Sequence, residues 1–318
     1  MTIRTKQFQL LTDAELAWEL MTDVFTTDEH NGPAAPFFEY ALASSWQDKT
    51  YLCLDRFWLD GDKPVGFLFY EDDPNRLHFV LRPGYEALAG EMIDYGETAF
   101  PAFGEPRELI LNSGQRSLIQ AAEARGYRAV DREEYKVFDF RTGKLDHPLP
   151  TGYRFVDPGR VDPLKAARCM WEGFNEGRGP FTGWEIPGTG PHELYQSVLG
   201  ASSAPSPHAT YERTVVIADE AWDYVCFAGM WWVEKNKLAY LEPLCTVPEH
   251  RHKGLAAAAL SQHDRLLRPL GARIMTGGVS DFYRRIGYRD AIMTLHFAKE
   301  PENALCDFGF PGTDLSRD

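Results

Sequence analysis

The segment Tyr240–Leu260, YLEPLCTVPEHRHKGLAAAAL, combines residue types that together bind an anion. A strand-like run ends at Pro248, which cannot donate to a strand ladder, and a short loop with two basic residues and two histidines follows it. Gly254 then opens a helix through four alanines. A helix N-terminus carries unpaired N–H groups and a partial positive charge, and glycine lets the backbone approach a ligand closely. The sequence therefore predicts a site for an anion such as a pyrophosphate.

A second motif lies about 30 residues further on, FYRRIGY at Phe282–Tyr288, with the strand-like ARIMTG between the two. Arg251-His252-Lys253-Gly254-Leu255-Ala256 resembles the Arg/Gln-x-x-Gly-x-Gly/Ala signature that holds the CoA pyrophosphate in GNAT acetyltransferases. The later motif resembles the second signature of that family, a Tyr four residues before a Gly-aromatic pair. The resemblance covers residues 151–300. Over residues 1–140 it extends only to the order of elements and to a shared GYR sequence.

This resemblance implies acetyl-CoA as the co-substrate and assigns residues to the reaction. Glu242, in the strand before the loop, would act as general base on an amine, directly or through water. Tyr283 would return a proton to the CoA sulfur. Backbone N–H groups of Cys245 and Val247 would face the pantetheine arm, and one of them would polarise the thioester carbonyl. The residues implied in binding acetyl-CoA are Cys245, Thr246, Val247, Arg251, His252, Lys253, Gly254, Leu255, Ala256 and Ala257.

Each of these side chains also has a structural alternative. Glu242 would otherwise be a solvent-facing strand residue, and Tyr283 a packing residue before a glycine turn. The Cys245 side chain is interpreted as a buried strand residue rather than a nucleophile, because no ordered His/Asp partner is indicated nearby. His250 and His252 are interpreted as supporting the anion, and no histidine pair has metal-ligand spacing, so no metal is expected.

The acceptor is expected at the Gly- and aromatic-rich segment Trp171–Trp184, WEGFNEGRGPFTGW. Its aromatic residues would form an apolar wall, and one of its acidic residues would meet a cation. A packed surface loop is the alternative. The aromatic residues are Trp171, Phe174, Phe181 and Trp184, and the acidic ones are Glu172 and Glu176.

The elements that position these residues are arranged twice along the chain. Each unit of about 150 residues follows the order β-α-α-β-β-β-α-β-α-β, and ARGYRAV near Gly126 matches RIGYRDA near Gly287. The units join at the segment Pro148–Gly152. The predicted fold class is α/β (α+β), with two tandem GNAT-like domains, each a mixed, mostly antiparallel sheet flanked by helices. The predicted domains are residues 1–145, residues 150–300 with the acetyl-CoA site, and a tail at 301–318.

The first unit departs from the pattern where chemistry would occur. Its matching stretch LRPGYEALAGEMI has Arg82 and Gly84 but no basic loop, and Ala122 stands where Tyr283 stands in the second unit. We therefore expect the first unit to be degenerate, neither binding CoA nor catalysing, and to serve as a structural or acceptor-covering domain.

Composition narrows the class of protein further. The 318 residues carry a formal net charge of −14, which disfavours nucleic-acid partners and suits either solubility or a cationic small molecule. The five cysteines are scattered without a CxxC pair, which favours a reducing compartment over a disulfide framework. No stretch approaches the roughly 18 apolar residues of a membrane span, and the N-terminal residues lack a cleavage-type signal. These features predict a cytoplasmic protein without membrane or nucleic-acid partners.

The predicted activity is transfer of an acetyl group from acetyl-CoA to a primary amine of a small cationic acceptor by direct attack. Two alternatives stay open: a non-catalytic acyl-CoA-binding or regulatory protein of the same fold, and a transferase that uses another acyl donor. Neither the acceptor's identity nor the oligomeric state is indicated by the sequence.

Overall fold

The described strands are apolar segments that helices with apolar faces cover: β3 Lys63–Tyr70 and β9 Tyr224–Val233 are buried almost throughout, whereas β10 Leu238–Thr246 alternates buried and partly exposed residues. The computed structural model describes residues 2–27, 31–44, 47–101, 106–174 and 207–299. The first unit contains β1 Ile3–Gln7, α1 Ala14–Val24, α2 Ala35–Ala43, β2 Arg56–Asp60, β3 Lys63–Tyr70, β4 Arg76–Leu81, α3 Ala89–Ala99, β5 Glu108–Asn112, α4 Arg116–Glu123 and β6 Arg128–Asp139. The second contains β7 Arg154–Phe155, α5 Pro163–Phe174, β8 Val215–Ala218, β9 Tyr224–Val233, β10 Leu238–Thr246, α6 Leu255–Leu267, β11 Ile274–Thr276, α7 Asp281–Arg285 and β12 Arg289–Ala298.

The described strands form one sheet in the order β1-β2-β3-β4-β5-β12-β6-β11-β10-β9-β8-β7. All neighbours are antiparallel except β4 with β5 and β10 with β11, which are parallel. Each parallel pair is joined through a helix, α3 in the first unit and α6 in the second, as a parallel crossover requires. The predicted fold class, with mixed, mostly antiparallel sheets flanked by helices, is confirmed.

The two units exchange their last strands. β12 of the second unit lies beside β5 of the first, with Leu295 opposite Leu111, and β6 of the first unit lies beside β11 of the second, with Phe138 opposite Met275. The hydrophobic cores of the two units are exchanged in the same way. Phe297 of β12 packs in the core cluster of the first unit, and Phe138 packs in that of the second. Neither unit therefore completes its own sheet. The predicted boundary at residues 145–150 divides the chain, but the hydrophobic core clusters do not follow it, because each contains a residue from the other unit.

The repeated GYR sequences occupy equivalent turns. Gly126 and Gly287 have φ of 86° and 110°, a left-handed conformation that favours glycine. The following amide donates back five residues in both units, from Tyr127 to the Ala122 carbonyl at 3.1 Å and from Tyr288 to the Tyr283 carbonyl at 3.0 Å. The structure thus places Ala122 at the position that Tyr283 occupies in the second unit.

Helices α1 and α2 also bind the second unit directly. His208, which follows the undescribed residues 175–206, donates its backbone N–H to Glu39 at 2.9 Å, and its Nδ1 lies 2.7 Å from the second oxygen of that carboxylate. Its ring stacks on Trp18 with centroids 3.9 Å apart. Asn236 donates to the Thr22 carbonyl at 2.8 Å. These contacts join helices α1 and α2 of the first unit to the second unit. None of the helices in the described ranges has the length and apolarity needed to cross a membrane.

Candidate active site

A cavity of about 600 Å³ lies between the two units, where the exchanged strands β6 and β12 meet β10 and β11. Both predicted catalytic side chains, Glu242 of β10 and Tyr283 of α7, line this cavity. The first unit supplies the opposite wall, with Glu71 just after β3 and His78 on β4. The structure therefore brings the two predicted catalytic residues together in a space that both units enclose.

Glu242 is presented to the cavity by a β-bulge. In the pairing of β10 with β9, Leu241 lies opposite Met230 and Leu244 opposite Ala228, so two residues of β10 face Gly229 alone. A Cβ atom on Gly229 would lie 2.2 Å from the Glu242 carbonyl oxygen, and only glycine fits there. This glycine is a positioning residue that the sequence analysis missed.

The Glu242 carboxylate makes no hydrogen bond or ion pair with any residue that the structure describes. Burial raises the pKa of Glu242 to about 7. A base whose pKa lies near the working pH is deprotonated often enough to accept a proton and basic enough to take one from an ammonium. The position of Glu242 thus suits general-base chemistry.

Tyr283 packs its ring against a glycine pair. Cβ atoms built on Gly277 and Gly278 would lie 2.7 Å and 3.2 Å from ring carbons, so any larger residue would displace the ring. Burial raises the pKa of Tyr283 to about 12, and the negative charge of Glu242 adds to the effect. The phenol therefore keeps its proton at neutral pH and can donate it.

The prediction that the N–H groups of Cys245 and Val247 face the pantetheine arm is wrong, because both point at β9. The Val247 N–H donates to the Val225 carbonyl at 2.9 Å. Hydrogen-bonded and free pairs alternate in an antiparallel ladder, so the Cys245 N–H also points at β9, where its partner is Phe227. The N–H groups of Leu244 and Thr246 point the other way. They face the gap that opens because β10 pairs with β11 only at Leu238 and Ala239.

The loop before α6 has the shape expected of an anion site. Gly254 has φ of 84° and no neighbour within 4 Å of its Cβ position, so the glycine is needed for its backbone angle and not for lack of space. The first amide of α6 with an intrahelical acceptor is that of Ala258, which bonds to the Gly254 carbonyl at 3.0 Å. The amides of residues 255–257 thus remain available, and Lys253 beside them is exposed. The side chains of Leu255 and Ala257 are buried, and only their backbone faces this site.

Arg251 and His250 also make contacts within the second unit. The Arg251 guanidinium donates to the Thr246 carbonyl at 3.1 Å and to the Gly173 carbonyl at 2.8 Å, so it fastens the loop to β10 and α5. The Nδ1 atom of His250 lies 3.0 Å from the Tyr153 hydroxyl. His252 is exposed, with φ of 61°, in the left-handed region that residues other than glycine seldom adopt. The exposed Lys253 places a positive charge directly beside the helix N-terminus.

The equivalent loop of the first unit carries a carboxylate in place of a cation. Glu86 accepts a hydrogen bond from the Gly84 N–H at 2.8 Å. Arg82 is bound to Asp23 at 2.8 Å and to the Pro64 carbonyl at 3.2 Å. A bound carboxylate competes with an anionic ligand, which supports the interpretation of this unit as degenerate.

The predicted acceptor segment contributes in part. Phe174 lines the cavity at the end of α5. Trp171 is buried on the same helix, and Glu172 accepts a hydrogen bond from the Arg168 Nε at 2.8 Å. Phe181, Trp184 and Glu176 lie outside the described residues.

Most of the cavity wall was not foreseen from the sequence. The first unit contributes Phe37, Tyr40, Glu71 and His78, and the exchanged strands contribute Glu133, Tyr135 and His296. Burial, with the nearby charges of Asp72 and Glu242, raises the pKa of Glu71 to about 8. No local motif in the sequence marks these residues. Glu71 resembles the first residue of an acidic turn, and the others resemble ordinary strand or helix residues.

Cysteine and metal chemistry have little support in the part of the chain that is described. Cys245 is buried, with Sγ 3.8 Å from the Cys169 carbonyl, which agrees with its interpretation as a packed strand residue. The described ranges contain no cluster of three His, Cys, Asp or Glu side chains arranged to hold a metal ion.

Neither a protein-family model nor a curated protein matches the sequence. Solved structures do match. A GCN5-related N-acetyltransferase from Sphaerobacter thermophilus superposes with a TM-score of 0.53 at 16% identity, over 94% of this chain and 95% of its own. A tandem GNAT protein from the clavulanic acid biosynthesis pathway gives a TM-score of 0.57 at 13% identity, over 95% and 100%. A GNAT-family acetyltransferase from Colwellia psychrerythraea gives 0.58 at 10% identity, over 94% and 100%. The chain therefore has the GNAT fold along nearly its whole length.

Proposed function

We propose that this GNAT-fold protein is an N-acetyltransferase that moves an acetyl group from acetyl-CoA to a primary amine of a small cationic acceptor. The observation that carries the proposal is the pairing of Glu242 and Tyr283 in one cavity, with pKa values of about 7 and about 12. One side chain is poised to take a proton and the other to give one. Acetyl transfer to an ammonium needs both steps.

The donor site would be the loop and first turn of α6. Its free amides at residues 255–257 and the charge of Lys253 fit a pyrophosphate, because α6 has no acidic residue in its first turn. Acetyl-CoA would supply the acyl group as a thioester. The N–H groups of Leu244 and Thr246, which face the gap between β10 and β11, are placed to hold the pantetheine arm and to stabilise negative charge on the carbonyl oxygen.

The chain's own residues would then direct the proton transfers. Glu242 accepts a proton from the acceptor ammonium, directly or through one water, and the neutral amine attacks the acyl carbon. The C–N bond forms as the carbonyl π electrons move to the oxygen, and the C–S bond then breaks while the departing sulfur takes the phenolic proton of Tyr283. The amine nitrogen loses its second proton as the amide forms, and this proton returns to the Tyr283 oxygen through water. The nearby negative charge of Glu242 favours an acceptor that is itself cationic.

A free-thiol assay tests the proposal. Full-length protein with acetyl-CoA and a panel of primary amines should release thiol in proportion to acetylated product, and no thiol should appear without an amine. Saturable acetyl-CoA binding with no thiol release for any amine would instead favour a non-catalytic acyl-CoA-binding protein. Release only with longer acyl-CoA would favour another acyl donor.

A further inference from the structure

We infer that the acceptor carries two cationic groups, and that the wall built by the first unit, at Glu71 and His78, binds the group that does not react. The inference rests on the proposed function and names the substrate class of the same site. The class is a diamine, or another primary amine with a second cationic group a short chain away.

Two carboxylates in this cavity lack partners. Glu71 and Glu242 both line it, and neither makes a hydrogen bond or ion pair with any described residue. Among the described residues of the wall the one guanidinium is that of Arg76, whose Nε donates to Glu108 at 3.0 Å, and its charge offsets only part of the burial of Glu71. With no ligand, Glu71 avoids the cost of a desolvated charge by staying largely protonated at neutral pH, since its pKa is about 8. A cation beside each carboxyl group would favour its ionised form, so a ligand with one positive charge would pair with Glu242 alone, whereas a ligand with two would pair with both.

The surroundings of His78 indicate independently that a ligand binds at this wall. Its side chain lines the cavity, only 9% of the residue is exposed, and no described residue hydrogen-bonds to it. Burial lowers the pKa of His78 to about 3, with the charges of Arg76 and His296 adding to the effect. The imidazole is therefore neutral and has a free nitrogen that can accept from an ammonium N–H.

A second buried polar atom lies on the same wall. His296 is 5% exposed, its Nε2 has no hydrogen-bond partner, and this atom lies 3.6 Å from the Glu133 carboxylate. Glu133 in turn accepts from the Tyr135 hydroxyl at 2.9 Å. The first unit and the exchanged strands therefore present acceptors of hydrogen bonds where a second cation would lie.

Aromatic rings line the space around these groups. The Phe37 ring meets the His78 ring edge-on with centroids 5.0 Å apart, and Tyr40, Tyr135 and Tyr240 also face the cavity. Such a lining suits the methylene chain of a diamine and attracts cations to the ring faces. Among the described residues the lining carries three acidic side chains against the single guanidinium of Arg76, which is itself bonded to Glu108, so an acidic acceptor is disfavoured.

A comparison of amines on the full chain tests the inference. The probes are a series of α,ω-diamines and the n-alkylamines of matching length, with acetyl-CoA at saturation. The native protein should favour diamines of one length range through a lower KM. Glu71→Gln should lower kcat/KM for those diamines by about 10- to 100-fold, as expected for one lost charge-assisted hydrogen bond, and leave the alkylamines little changed. Glu19→Gln, the same change at an exposed carboxylate of α1 that does not line the cavity, is the matched control and should leave both series unchanged.

The outcomes separate this inference from the proposed function. Equal use of diamines and alkylamines by the native protein, or an equal loss for both in Glu71→Gln, overturns the inference while acetyl transfer stands. If no amine is acetylated, the proposed function fails, and calorimetry of diamine binding to native protein and to Glu71→Gln still decides the cation site. If Glu71→Gln does not fold, the length series on the native protein decides it alone.

Discussion

Replacing Glu242 with glutamine should inactivate the protein and stabilise it at the same time. The pKa of Glu242 rises from the ordinary 4.5 to about 7 because the folded protein buries the carboxylate. Below about pH 4.5 the group is protonated in both states and costs nothing. Between 4.5 and 7 the unfolded chain loses its proton first, so the folded state loses stability as pH rises, and above 7 the cost is complete. The rise corresponds to at most about 3 kcal/mol, less the part that water in the cavity screens.

Glutamine keeps the shape of Glu242 and has no charge to bury. The free energy of unfolding, measured in urea, should therefore match that of the native protein at pH 4.5 and exceed it at pH 8, by up to about 3 kcal/mol. In the thiol-release assay, kcat of the native protein should rise through about pH 7. The variant should lose about 10²- to 10⁴-fold at neutral pH and recover in part at high pH, where the free amine becomes abundant. Glu220→Gln, an exposed change in the turn between β8 and β9, is the control for both measurements.

Two results would refute this reasoning. A Gln variant that is inactive and less stable at pH 8 would make Glu242 a structural residue whose charge the fold requires. A variant whose activity keeps the native rise near pH 7 would place the base elsewhere in the cavity, with Glu71 the next candidate because its pKa is about 8.

Three further predictions concern the donor side of the site. Tyr283→Phe should lower kcat by about 10²- to 10⁴-fold with acetyl-CoA affinity nearly unchanged, because the hydroxyl acts only as the thiolate leaves; full activity would leave it a packing role. Gly254→Asp should abolish acetyl-CoA binding in calorimetry by setting a carboxylate at the helix N-terminus. Gly271→Asp, at a similar φ of 79° with similar open space, should bind normally, and equal loss in both would point to backbone strain. Gly229→Ala should lower kcat through displacement of the Glu242 carbonyl, which its Cβ would approach to 2.2 Å, while acetyl-CoA still binds.

Local patterns in the sequence predicted local structure well. The helix expected to open at Gly254 begins at Leu255. This boundary follows from the glycine and from the helix-forming alanines after it, which act within one turn of chain. The same is true of the equivalent GYR turns, where a left-handed glycine is needed in each unit.

The directions of the backbone N–H groups at the donor site could not be predicted from local patterns in the same way. A strand alternates its amides between two sides, so one extra residue reverses the assignment of every later position. The bulge at Glu242 and Pro243 adds that residue, and it depends on Gly229 in the neighbouring strand. A proline in the strand indicates that a bulge is possible, but the partner strand decides where pairing resumes.

The strand exchange gives the first unit a structural role in the sheet of the second. Among the described strands, β11 pairs with β6 on the side away from β10, and β12 pairs with β5 and β6, so removing the first unit would leave one edge of β11 and both edges of β12 unpaired. The same exchange places Glu133 and Tyr135 of β6 on the cavity that holds Glu242. Glu71 and His78 line the cavity from the first unit, whereas the proposed pyrophosphate site is the α6 loop of the second. We therefore expect substitutions at Glu71 and His78 to change acceptor preference more than acetyl-CoA binding. The different roles that we expect for the two similar units thus follow from the exchange of β6 and β12 between their sheets.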